Sequence, residues 1–416
     1  MVIVMRDQEH RTGHVRKWML GLAPVGLLAA LIASFLFFDP AAPLRTAFPP
    51  VEELTIERVV LSEPGQMEIH VVNGGPEPVT IAQVMVDEAY WTHTLRGDRT
   101  VQRLGRVVID LPYPWVEGDP HEIKLVTSTG LTFTHVVEVA TLTPRFNARS
   151  MTVFTILGVY VGLIPVLIGI LWYPFMRQIG RRWIHFFLSL TIGLLIFLGV
   201  DALVEALETA AAVPSAFQGI GLMLIGVLGS IVVLRALARG GGAGGSGHGP
   251  APGGVRLAYL IAIGIGLHNL GEGLAIGSAY ALGEIALGSF LVIGFLVHNT
   301  TEGLAIVAPV AAERARAADT GLQAGADRPP ILHFLGMGAV AGLPTIAGTW
   351  IGGFSYSPIA GTLFLALGAG AMFQVVLEIG LMLRGEADGG VLSPLNAMGL
   401  MLGLVLMYGT ALLVTA

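Results

Sequence analysis

Two nine-residue phrases, HNLGEGLAI at 268–276 and HNTTEGLAI at 298–306, hold the residues best suited to chemistry in this 416-residue chain. Seven of their nine positions are identical. His and Glu stand at i and i+4, a spacing that puts them on one face of a helix, with Asn beside the His. Each phrase lies about midway along an apolar stretch long enough to cross a membrane, where ionisable side chains are costly and mark function. Neutral imidazole and ionised carboxylate together suit divalent cations such as zinc, iron or manganese. Only the loop 282–285 separates the two stretches, so they should be adjacent and antiparallel. His268, Asn269, Glu272, His298, Asn299 and Glu302 would then converge on one cavity. Buried His and Glu can also simply staple two helices by hydrogen bonds, but duplication at matched depth argues against that use. Gly273 and Gly303, one after each Glu, allow close backbone approach or local helix distortion.

Other ionisable groups could serve such a cavity. Asp201, Glu205 and Glu208, at i, i+4 and i+7, form an acidic stripe near one helix end. It is either an entrance for cations or a solvated terminus. Glu378 lies deep in another apolar stretch with Gln374 at i−4, which suggests a metal or proton path. His185 and His333 fall at helix starts and need no special role. His248 sits in a low-complexity loop. Pro344 should kink its helix.

The elements that must position these groups follow from composition. Hydrophobic residues make up 54% of the chain and charged residues 12%, with a mean hydropathy of +0.73. That balance belongs to polytopic membrane proteins. No basic patch with interleaved aromatics is present, so nucleic acid is excluded as an expected partner. Cysteine is absent, so a metal site must use His, Asp, Glu, Asn or backbone oxygen. The 56 glycines allow close helix packing.

Residues 1–17 form a basic, polar tail expected in the cytoplasm, and 18–38 an apolar anchor or signal segment. Residues 39–150 alternate short β-rich runs with turn signals: 54–62, 66–72, 79–86, 89–95, 106–111, 122–127 and 133–140. This predicts an extracytoplasmic β-sandwich of immunoglobulin-like type. Its His70, His93, His121 and His135 could capture metal, although histidines so scattered are more often ordinary strand residues.

From 151 to 416 come eight apolar runs of ~20 residues or more, as spanning requires: 152–174, 183–207, 216–237, 256–281, 286–310, 332–353, 359–383 and 394–415. If the sandwich lies outside, the inner loops hold Arg177, Arg181, Arg182, Arg235, Arg239, Arg314, Arg316, Arg328 and Arg384. The outer loops 208–215, 282–285 and 354–358 contain no Lys or Arg. That asymmetry fits the positive-inside rule and an inner-membrane location. The Gly-rich loop 239–255 would be a flexible cytoplasmic linker.

These residues resemble the ZIP (Zrt/Irt-like protein) metal transporters, especially their GufA-like branch. That family carries His-Asn-x-x-Glu-Gly phrases on its fourth and fifth helices, where this chain has His268–Gly273 and His298–Gly303. Gly271 and Thr301 stand where Pro is usual. The stretch GAGAMFQVVLE (368–378) is similar to the family's seventh helix. The resemblance covers about 151–416 and implies an eight-helix ZIP-like bundle. It also implies a primary metal site of His268, Glu272 and Glu302 with His298 close by, and a second site beside Asn269, Asn299 and Glu302. On the sixth helix Leu343 precedes Pro344 where Glu is often found, so one well-formed site is expected.

The expected function is therefore import of divalent metal ions across the bilayer, with the ion as substrate and no resident cofactor. A homodimer is compatible with this reading. No ATP-binding motif and no HExxH signature appears, and an enzyme is not expected. A membrane metal sensor that signals through the ectodomain is the alternative.

Overall fold

The computed structural model describes residues 22–35, 37–38, 51–239, 253–281, 285–319, 329–355, 357–384 and 393–415. The tail 1–17, the start of the expected anchor, most of the Gly-rich loop and residues 282–284 lie outside them. The chain divides into two units at Val51/Glu52. In the first, the described part of an apolar helix, α1, runs over Leu22–Phe35.

The second unit begins with two antiparallel sheets. One has the order β1-β2-β7-β5: Leu54–Glu63, Gln66–Asn73, Arg106–Leu111 and Thr94–Arg96. The other has the order β4-β3-β8-β9: Ala89–Trp91, Val79–Val86, His121–Thr127 and Thr132–Val137. β6 (Thr100–Val101) pairs with β3. Alternate residues face a shared core that includes Met67, Ile69, Ile81, Ile109, Ile123 and Leu125.

The expected strand 89–95 is two strands in different sheets. Asp87 (φ 51) and Glu88 (φ 63) make a tight turn of the primed kind into β4, and the chain then crosses to pair β5 with β7. The break at 87–88 is expected from sequence; the one at 92–93, where the chain changes sheet, is not. The Asp87 carboxylate offsets the backbone cost by accepting from Tyr113 Oη (2.6 Å) and the Glu122 amide (2.9 Å), and it contacts His121 Nδ1 at 2.8 Å.

Eight helical segments among the described residues are long and apolar enough to cross a membrane. The first, Ala148–Met176, is broken into α2 (Ala148–Gly158), a π-helical turn (Val159–Leu163), α3 (Ile164–Ile170) and α4 (Tyr173–Met176). Pro165 supplies no amide for the Val161 carbonyl, and the Ile164 amide bonds back to Val159 instead. The remaining helices are α5 (Arg181–Ala211), α6 (Gly219–Arg239), α7 (Gly254–Ala281), α8 (Ile285–Asp319), α9 (Ile331–Ser355), α10 (Pro358–Arg384) and α11 (Pro394–Thr415). α9 continues through Pro344 as one helix.

Small residues set the closest packing. On α9, a Cβ at Gly348 would strike the Leu270 carbonyl of α7, so these helices meet backbone to backbone. Leu188, Leu194, Ile261, Ala305 and Met372 fill the bundle core.

Among the described residues, Arg58 and Glu53 carry hydrogen bonds from the sandwich to the helices. A β-bulge between Ile56 and Arg58 re-aims Arg58, whose Nη1 donates to the Phe354 carbonyl at the end of α9 (3.1 Å). Glu53 accepts from the Ser215 amide (2.8 Å) and hydroxyl in the α5–α6 connection.

Candidate metal centre

The two phrases sit on α7 and α8, which lie side by side. His268 is 7% exposed, Glu272 4%, His298 5%, Glu302 1%, and both Asn269 and Asn299 0%. Burial of so many polar groups is costly unless they find partners.

Glu272 is the centre of the arrangement. Its Oε1 contacts His298 Nε2 and lies 3.3 Å from His268 Nε2. The second contact is not aligned for hydrogen bonding, and both His268 nitrogens lack such a partner. Its Oε2 accepts from Asn299 Nδ2 at 2.9 Å. Ligand atoms of His268, Glu272 and His298 all lie within 4.8 Å of one another. Two imidazoles and one carboxylate at that spacing match the donor set of a divalent cation, with further positions left for water or another group.

The asparagines act first on backbone. Asn299 Nδ2 donates to the Val161 carbonyl (3.0 Å), the one that Pro165 leaves without its helical amide. Asn269 Nδ2 donates to the Ala341 carbonyl of α9 (3.1 Å). Each phrase also presses its glycine against the same neighbour. A Cβ at Gly273 would strike the Thr345 carbonyl of α9, and one at Gly303 the Val166 carbonyl of α3. Of the two readings of these glycines, the structure shows close backbone approach. Each phrase thus seats its Asn and Gly on one Pro-containing span and turns its His and Glu inward.

Glu302 stands outside the converged trio. Both its oxygens are buried without an aligned hydrogen bond, although the Asn269 side chain lies close by; the Oδ1 atoms of Asn269 and Asn299 likewise lack one. Its charge interacts with those of Glu272, His268 and His298. The ligand atoms that converge are those of His268, Glu272 and His298. Leu343 is 47% exposed and so lies at the surface, away from these buried groups.

Asp201, Glu205 and Glu208 are exposed on α5, and Asp201 and Glu205 lie within electrostatic reach of His268 and Glu272. Glu378 is half-buried and accepts from Gln374 Nε2 at 2.7 Å; it joins α10 to itself and is not part of the trio. His333 contacts Tyr259 Oη at 3.2 Å, and His121 is held by Asp87 within the sandwich. Among the described residues, the trio is the group of three or more His, Asp or Glu side chains that converges as metal ligands do.

No protein-family model matches the chain, and no curated protein matches it. The backbone partners of the asparagines were not foreseen from sequence. Pro165, four residues after Val161, was the available signal for one of them.

Proposed function

We propose that this chain is a divalent-metal transporter of ZIP type that carries zinc, iron or manganese into the cytoplasm. The observation that carries this reading is the burial of His268, Glu272 and His298 as one converged donor set among eight apolar helices long enough to span. Such a set can replace the water shell of an arriving cation. Glu302, with its buried oxygens, supplies a further anionic group against which the ion can shift.

The acidic stripe of Asp201, Glu205 and Glu208 raises the local cation concentration at the outer mouth. Release requires that binding remain weak enough to reverse, and movement of helices relative to one another would open the inner side. In this reading the loop arginines favour a sandwich outside a cell (inner) membrane, and the sheet orders β1-β2-β7-β5 and β4-β3-β8-β9 support an immunoglobulin-like type. No bond is made or broken in this scheme.

Radiometal flux into proteoliposomes tests the proposal. Saturable uptake that competing divalent ions inhibit is expected, and tight binding without flux would overturn it. That second outcome would favour a metal sensor, a reading to which the sandwich contacts at Phe354 and Ser215 lend support.

A further inference from the structure

A cavity of about 460 Å³ lies between the sandwich and the helix ends, and none of the metal centre's residues line it. β1 and β9 are the outer strands of their two sheets, and both line it. The ends of α5, α7 and α9 and the start of α10 complete it. Leu61, Phe133 and Phe354 make its walls largely apolar. Ligand sites of small molecules share this build, an apolar hollow of about 300–1,000 Å³ with a few placed polar groups.

Two of its polar groups are notable for what they lack. Arg58 spends one donor on the neutral Phe354 carbonyl and has no carboxylate partner among the described residues. Neighbouring Glu57 is already neutralised by Arg106, through two bonds of 3.1 Å. Glu138, at the rim, is exposed. His135 is half-buried between Phe133 and Val137 on β9. Burial alone pushes its pKa below the ordinary 6.5, so near neutrality it is an uncharged donor. The cavity therefore offers an apolar body, one unneutralised guanidinium and one neutral imidazole.

A cation does not suit this chemistry, since Arg58 repels it and no trio of ligands converges here among the described residues. We propose that the cavity binds a single-chain carboxylate amphiphile, a free fatty acid in chemical class. Its carboxylate would meet Arg58, whose planar donors match that group, and its chain would lie along the apolar walls. The volume lies towards the lower end of the range for ligand sites, which favours one chain over the two of a phospholipid. The floor of the cavity includes the ends of α7 and α9, the helices that carry His268, Glu272 and the Ala341 carbonyl. The binding claim itself does not depend on the transport reading.

The test uses the full chain in phosphatidylcholine nanodiscs with the fluorescent acid cis-parinarate as probe and empty nanodiscs as background. Saturable binding is expected, displaced by oleate but not by oleyl alcohol. Arg58→Gln should weaken it by about tenfold or more, the size of a lost charge-assisted hydrogen bond, while Arg58→Lys retains most of it. Ala212→Trp, at an exposed residue that lines the cavity, should abolish it by filling the space without touching the Arg58–Phe354 bond. Thermal melting of each variant must match the parent. Equal displacement by oleyl alcohol, indifference to Arg58→Gln and Ala212→Trp, or displacement by phosphatidylglycerol alone would each overturn the assignment.

Discussion

Asn299 joins Glu272 to the opened helix of the first span: its amide gives one hydrogen to Glu272 Oε2 (2.9 Å) and the other to the Val161 carbonyl (3.0 Å). A residue of the second phrase thereby orients the central carboxylate of the first. Groups that orient a ligand are worth about 10–100-fold in metal affinity. Asn299→Ala is expected to weaken divalent-metal binding by about that factor while Glu272 remains in place, measured by titration calorimetry on purified protein. Unchanged affinity would show that Glu272 needs no such support.

Glu272 touches both imidazoles, so its loss should be felt by the whole trio. Glu272→Gln is expected to abolish saturable metal binding and uptake together. Glu302→Ala should abolish uptake without loss of folded protein. Uptake at the wild-type rate in the Glu302 variant would remove it from the site.

The glycine seats predict a stability effect separate from chemistry. In Gly303→Ala the added methyl meets the Val166 carbonyl and Gly169 of the first span. Overpacking of this kind costs about 1–3 kcal/mol and can exceed that where backbone must shift. A lower melting temperature is expected, with Gly409→Ala, which meets nothing within 4 Å, as the matched control.

Asp87 makes the sandwich sensitive to acid. Partial burial raises its pKa, but hydrogen bonds from Tyr113 and His121 outweigh this and hold it below the ordinary 3.8. A depressed carboxylate adds stability above the unfolded value, and that stability is lost as pH falls through the folded value. Burial and the same hydrogen bond push Tyr113 up to about 12. Asp87→Asn should therefore lower the melting point of the sandwich at neutral pH, followed by the fluorescence of Trp91 and Trp115. The difference from wild type should shrink as pH falls below the ordinary carboxylate value of 3.8 and through the lower folded one. A difference constant across that range would rule out the carboxylate charge as its source.

The sequence by itself determined the elements and the identity of the polar groups. Eight apolar runs of spanning length fixed the helices, because a backbone in hydrocarbon must satisfy its own hydrogen bonds. Alternation of period two marked most strands, but not β6 or the break at 92–93, where the chain passes from one sheet to the other inside the expected strand 89–95. The i, i+4 spacing put His268 and Glu272 together, because that contact lies within one helix.

Tertiary structure decided what crosses between helices. His298 joined Glu272 in the trio while Glu302 stayed apart with buried oxygens, a choice set by the rotation and approach of α7 and α8. That approach depends on Gly273 and Gly303 against the backbones of α9 and α3, and on the Val161 carbonyl that Pro165 leaves open for Asn299. No local spacing encodes such distances. The site is written in the sequence as a list of ligands and becomes a geometry only when four spans are packed around it.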